Sequence, residues 1–473
     1  MRNNLAADVR RMACVLALGI IPIGAGNILA QTPRFLSNPL GQNTYLSGFQ
    51  FLGVTGSAGY FRSNLSGQGM TAFPGQQSYS DNQMSLGTTL GYTKMARSTS
   101  ISVIYAPFYF GSLRSSSANS WNHSLNISTG TPRKLSPKVT FDFGVNANIY
   151  SFQVFLFSPM GLGQALTSTS NFDELAGAFI RRNTTNDALA AAMGGGQTLD
   201  LPTRAMYGDR NLSAGAQASF GYHHSQRLTF TFGAGGMRLQ PLPSSNSRQN
   251  QQIRFGFAPV NTAFGMAQMT YTLDPRTSIG VSAAVSRPFT RGQDTYTTTV
   301  QANAGRILTR SIFVSGYGGI ARITAVAATF PVQTAPQYVA GGMIGFRTRN
   351  HGFIVSADRT AGDPFGIGSS SNLAITGTWM WSRPGSSWSL YGNFGQQALT
   401  SLGASNTRGW RAGGGFSQVL GKGFVLFTDY AYFDFTARLT PLQRSLTSSS
   451  VRIGGMWTPH VGLLRQQPQT PLP

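Results

Sequence analysis

From about residue 47 to residue 459 the chain alternates between apolar side chains and small or polar ones, with a period of two residues. In 277–290, Ile279, Val281, Ala283 and Val285 share one face, and Ser278, Gly280, Ser282, Ala284 and Ser286 share the other. In 138–157, Val139, Phe141, Phe143, Val145, Ala147 and Ile149 oppose Thr140, Asp142, Gly144, Asn146 and Asn148. Side chains on a strand point to opposite faces in turn, so this pattern specifies extended chain with one apolar face. Eighteen such segments can be drawn, among them 47–62, 82–94, 138–157, 407–419, 424–436 and 448–459. Many run to 12 residues or more, whereas strands of soluble sandwiches are commonly about 5–6 residues long.

Composition narrows the setting. Only 11% of residues are charged, and Gly alone contributes 57 of 473. Charged residues usually make up about 25% of a soluble domain. At 41% hydrophobic and 11% aromatic, the chain is too apolar for disorder. There is no run of 18 or more apolar residues, and a spanning helix needs about 20.

The connections alternate in length. Short turns include 96–98, 273–276, 308–309, 383–386 and 421–423, while longer loops are expected at 63–81, 111–120, 158–210, 241–259, 327–336, 361–370 and 437–447. Together with the alternation and the girdle-like placement of Trp379, Trp381 and Trp388, this resembles the outer-membrane β-barrels of Gram-negative bacteria, porin-like in kind. The resemblance covers 31–459. It implies an all-β fold, a transmembrane antiparallel up-and-down barrel of about 18 strands, with the apolar face on lipid and the small, polar face on a lumen. One feature departs from the family. Such chains commonly end on an aromatic residue, and here Trp457 is followed by sixteen residues ending in proline.

The flanks read separately. Residues 1–30 form an export signal: basic Arg2, Arg10 and Arg11, an apolar stretch from Met12 to Ile23, and a cleavage site after Ile28-Leu29-Ala30. Cys14, the sole cysteine, lies inside it, so the mature chain has no thiol chemistry. Residues 460–473 form a C-terminal tail. Within 158–210, the stretch "NFDELAGAFIRRNTTNDALAAAMGGG" has helix-capping spacing at Asn171/Glu174 and Thr184/Asp187. It predicts one or two short helices, either folded into the barrel mouth or capping its surface.

The net charge is +22, of which Arg2, Arg10, Arg11 and Asp8 in the leader account for +2. No segment concentrates this charge, and an exported chain does not meet nucleic acid. On the lipid-facing phase, at loop-side strand ends, fall Arg210, Arg238, Arg287, Arg322, Arg359 and Arg408. Guanidinium groups there would meet lipopolysaccharide phosphates, or simply snorkel at the interface. The lumen phase carries Asp142, Asp358, Arg411 and Arg452, with Asp429 a further candidate. These charges would either orient polar solutes or brace the wall as salt bridges.

Nothing points to catalysis or to a cofactor. The five histidines are scattered, the chain has one glutamate, and no His/Cys/Asp spacing fits a metal site. Two functions stay open. One is a passive diffusion channel for small polar or anionic solutes, because barrels of about 16–18 strands leave an aqueous lumen. The other is a non-transport surface barrel, for adhesion, scaffolding or polysaccharide export. The small lumen-phase residues favour the channel. Oligomeric state is not legible.

Overall fold

A computed structural model describes residues 48–457, apart from 69–77, 97–98, 114–118, 132, 152–209, 243–258, 291, 330–331, 349, 364–368, 383–386, 402–404, 422–423 and 440–441. The expected signal segment 1–30, the tail 460–473 and the expected helices of 171–193 lie outside the described residues.

The described chain is strand throughout: β1 Gly48–Gln68, β2 Ser78–Ala96, β3 Thr99–Ser112, β4 Ser120–Thr131, β5 Arg133–Ser136, β6 Val139–Ser151, β7 Arg210–His223, β8 Leu228–Pro241, β9 Val260–Asp274, β10 Thr277–Phe289, β11 Gln293–Thr309, β12 Ile312–Ala328, β13 Gln337–Arg347, β14 His351–Gly362, β15 Ser370–Ser382, β16 Trp388–Ser401, β17 Ser405–Gly421, β18 Phe424–Leu439 and β19 Leu442–Trp457. β4 and β5 both pair with β6, so they occupy one position in the wall. The nineteen strands therefore fill eighteen positions. Neighbouring positions pair antiparallel, and β1 pairs with both β2 and β19. The sheet is closed and has no edge, which is the condition a sheet must meet to cross hydrocarbon.

Cross-strand partners share a face, so the registers fix the two surfaces. The outer one is apolar and exposed: Leu86, Phe220, Val281, Ile320, Leu373, Leu426 and Ile453 all stand on it, Ile453 at 65% exposure. Aromatic side chains cluster on it near the tight-turn end, where Trp381 meets Trp388 at 4.6 Å and Trp457 meets Phe424 at 6.0 Å and Phe51 at 5.9 Å. A second group stands toward the loop end, including Trp121 with Tyr109 and Trp410 with Tyr432. Two aromatic bands bounding an apolar one match the two interfaces of a bilayer. On the inner surface lie Thr93, Ser102, Asn122, Ser219, Gln268, Ser278, Asn372, Ser389 and Ser417, all buried. That surface is less uniformly small than its sequence reads, because Phe61, Phe110, Phe264, Phe313 and Phe427 are also buried on it.

Two connections differ from expectation. The loop expected at 437–447 is largely strand, since β18 and β19 pair out to Leu439 opposite Leu442. The polar residues Arg438, Gln443 and Arg444 continue the ladder there. Likewise β1 runs on to Gln68 and β2 starts at Ser78, with Asn64 opposite Ser78, so strand takes up 63–68 and 78–81 of the loop expected at 63–81. Backbone pairing needs no apolar face, so these strands extend beyond the point where the hydrophobic alternation fades. The first and last strands begin and end at the tight-turn end, where Val54 faces Trp457.

Candidate functional site: the inner wall

Lumen-side charge gathers in a few places. On β18 and β19, Asp429 stands opposite Arg452. Arg452 donates from Nε to Asp429 Oδ2 at 3.1 Å and from Nη2 to the same oxygen at 2.6 Å. Its guanidinium lies 5.2 Å from the Phe427 ring centroid. Arg411 stands on the same inner face of β17, opposite Gly395 and Phe433. Asp142 faces the lumen on β6 opposite Ser219.

Two of the inner acids sit in matching arrays. Tyr317, Gly341 and Asp358 lie side by side on β12, β13 and β14, and the Tyr317 hydroxyl donates to Asp358 Oδ1 at 3.1 Å. Tyr391, Gly415 and Asp429 lie side by side on β16, β17 and β18, with the Tyr391 hydroxyl within hydrogen-bonding reach of Asp429. The central glycine is what permits each contact. A Cβ on Gly415 would come within 2.5 Å of Tyr391 Oη, and one on Gly341 would collide with Tyr317 Cε1. The sequence placed the charged members on one face, and the shared geometry came only from register.

Two buried acids were missed by the sequence reading. Asp81 accepts a hydrogen bond from the Ser112 hydroxyl on the inner face near the loop end. Asp363, 1% exposed, follows β14 and reaches across β12 and β13 to β11, where Gln293 Nε2 and the Thr295 hydroxyl each donate to Oδ2 at 3.1 Å. The Thr329 amide donates to Gln293 Oε1 at 3.0 Å, and the Gln333 amide to Ser369 Oγ at 2.6 Å. Thus Asp363 and Thr329 are tied to β11 on the inner wall, and Gln333 is tied to Ser369. The contacts of Asp363 join residues 70 and 68 positions apart. The only local signal was the Gly362-Asp363-Pro364 turn sequence.

The outward arginines take distinct surroundings. Arg287 pairs with Asp294 through Nε at 2.9 Å and Nη2 at 2.7 Å, with its guanidinium 4.9 Å from the Tyr296 centroid. Arg238 Nε donates to Gln240 Oε1 at 3.0 Å. Arg359 lies over the Tyr338 ring at 3.6 Å from its centroid. Arg322 and Arg408 are exposed, opposite Thr298 and Ala398. Arg210 opens β7 opposite Ser151. Among the described residues no group of three or more His, Cys, Asp or Glu stands together.

The chain is a porin-like β-barrel in architecture. Its closed wall and apolar belt are those of an outer-membrane protein. No family model and no curated protein matches the chain. Solved structures do resemble it. The crystal structure of Pseudomonas aeruginosa OccK2 (OpdF) in complex with glucuronate has a TM-score of 0.43 at 8% identity, covering 87% of this chain and 100% of that one. A BenF-like porin from Pseudomonas fluorescens Pf-5 gives 0.42 at 9% identity, with 87% and 98% covered. Pseudomonas aeruginosa OpdO gives 0.41 at 11%, with 85% and 96% covered. At such identities no residue role passes from them to this chain.

Proposed function

We propose that the protein is a passive outer-membrane diffusion channel for small polar or anionic solutes. The supporting observation is the inner wall itself. It encloses an eighteen-position barrel and carries Ser, Thr, Asn and Gln together with Asp142, Asp358, Arg411 and the Asp429–Arg452 pair. Barrels of about this size hold water-filled lumens. Charges set in a low-dielectric wall act on passing ions more strongly than charges on the rim. Incorporation of the purified barrel into a planar bilayer should give discrete conductance steps. A folded barrel that gives none would favour the non-transport surface barrel.

We further infer that the outward arginines meet lipopolysaccharide phosphate, and that they do so unequally. Arg287 is occupied by Asp294, whereas Arg322 stands exposed on the same outer face. Binding of purified lipopolysaccharide should fall more in Arg322→Ala than in Arg287→Ala. Equal binding by both variants and the unmodified barrel would leave the arginines as interfacial anchors only.

A further inference from the structure

A shallow hollow in the wall of β19, β1, β2 and β3 has Ser57, Gly59, Gln83, Ser85, Phe108, Phe110, Ser450 and Arg452 on its inner side and also touches Tyr60, Met84 and Val451. The registers explain why these residues meet. Gly59 stands between Arg452 on β19 and Gln83 on β2, and Ser57 stands opposite Ser85. Gly59 has no side chain to fill the space, and its backbone is so close to β19 that a Cβ would lie 2.5 Å from the Val451 carbonyl oxygen. The gap between Arg452 and Gln83 is therefore built into the wall.

The polar groups of the hollow are under-used. Gln83 is only 9% exposed and Ser450 8%, yet neither side chain makes a hydrogen bond among the described residues. Their polar atoms still reach the lumen, so they are hydrated there and can exchange that water for the hydroxyls of a solute. Ser57 and Ser85 bond each other at 2.6 Å. Arg452 commits Nε and Nη2 to Asp429, which leaves the Nη1 edge as a donor. The carboxylate at 2.6 Å also cancels the guanidinium charge. The hollow thus presents an amide, hydroxyls and a charge-compensated donor beside the Phe108 and Phe110 rings, with no net charge of its own.

We propose that this hollow is a solute subsite for a neutral polyhydroxylated ring, of the monosaccharide class. Hydroxyls on such a ring are both donors and acceptors and match Gln83, Ser450 and Arg452 Nη1. Its C–H face matches an aromatic ring. Compensation of Arg452 by Asp429 disfavours a carboxylate, which would meet Asp429 behind the arginine. The subsite deepens the channel reading but binding to it can be measured without conduction.

Calorimetric titration of the detergent-solubilised full barrel with D-glucose tests it, with D-gluconate as the charged comparator. A saturable glucose isotherm, weakened roughly fivefold by Gln83→Ala and by Ser450→Ala for the loss of about one hydrogen bond each, is expected. Gluconate should bind less tightly than glucose. Gln268→Ala, on the inner face of β9 across the barrel, should leave glucose affinity unchanged. Heat-modifiable gel migration verifies that each variant is folded. No saturable glucose heat, an unaltered affinity in Gln83→Ala, or tighter gluconate binding would overturn the subsite. Planar-bilayer conductance without glucose binding would sink the subsite alone, and glucose binding without conductance would sink the channel alone.

Discussion

Arg452 grips Asp429 from the adjacent strand through two nitrogens, at 3.1 and 2.6 Å, with the Asp429 side chain 1% exposed and that of Arg452 18%. A pair this deep is more costly to break than to replace. Removing the cation alone strands a buried carboxylate, and breaking such pairs costs about 3–5 kcal/mol. Arg452→Met should therefore lower unfolding stability by that order in detergent with guanidinium. The double variant Arg452→Met with Asp429→Leu should recover most of the loss. A single variant as stable as the unmodified barrel would show that the pair is solvated in the lumen.

Ion selectivity should respond to inner charge and not to outer charge. Arg411 is on the inner face of β17, whereas Arg287 is on the outer face and held by Asp294. Arg411→Gln should move the reversal potential under a salt gradient toward cation preference, and Arg287→Ala should leave it nearly unchanged. Neutralising Arg452 along with Arg411 should enlarge the shift, because Asp429 then loses its counter-charge. Equal shifts from Arg287→Ala and Arg411→Gln would contradict the assignment of faces.

Asp363 ties the mouth connections to β11 through Gln293 and Thr295. Asp363→Ala leaves those donors without their shared acceptor inside a buried network, a cost of about 1–3 kcal/mol. The tie should loosen while the barrel stays closed. Larger and noisier single-channel conductance is expected, with unchanged heat-modifiable migration. Conductance identical in amplitude and noise would show that this segment does not narrow the path.

Topology can be read with single cysteines, since Cys14 is the only native one. Ala335 is exposed at the loop end and Arg310 is exposed at a tight turn. A membrane-impermeant maleimide on intact cells should label Ala335→Cys and leave Arg310→Cys unlabelled until the outer membrane is permeabilised. The reverse pattern would invert the barrel.

The two faces of almost every strand were legible in the sequence, because which side a residue takes depends only on its parity along one strand. Asp142, Asp358, Arg411 and Arg452 could be placed inward, and Arg287 and Arg322 outward, without knowing any partner. Connections failed where the local signal was weak. The stretch 437–447 reads as loop, but the ladder continues to Leu439 and Leu442 because backbone groups pair whether or not their side chains alternate.

By itself, then, the sequence determined the strand period, the apolar belt and the approximate strand count, all of which are local properties repeated many times. Only the tertiary structure decided which charges meet. Asp429 finds Arg452 23 residues away, and Asp363 finds Thr295 68 residues away. Gln83 and Arg452 come to flank Gly59 because the last strand closes on the first. Those contacts follow from register and closure, which are fixed by the sum of hydrogen bonds around the whole ring and are therefore written in no single segment.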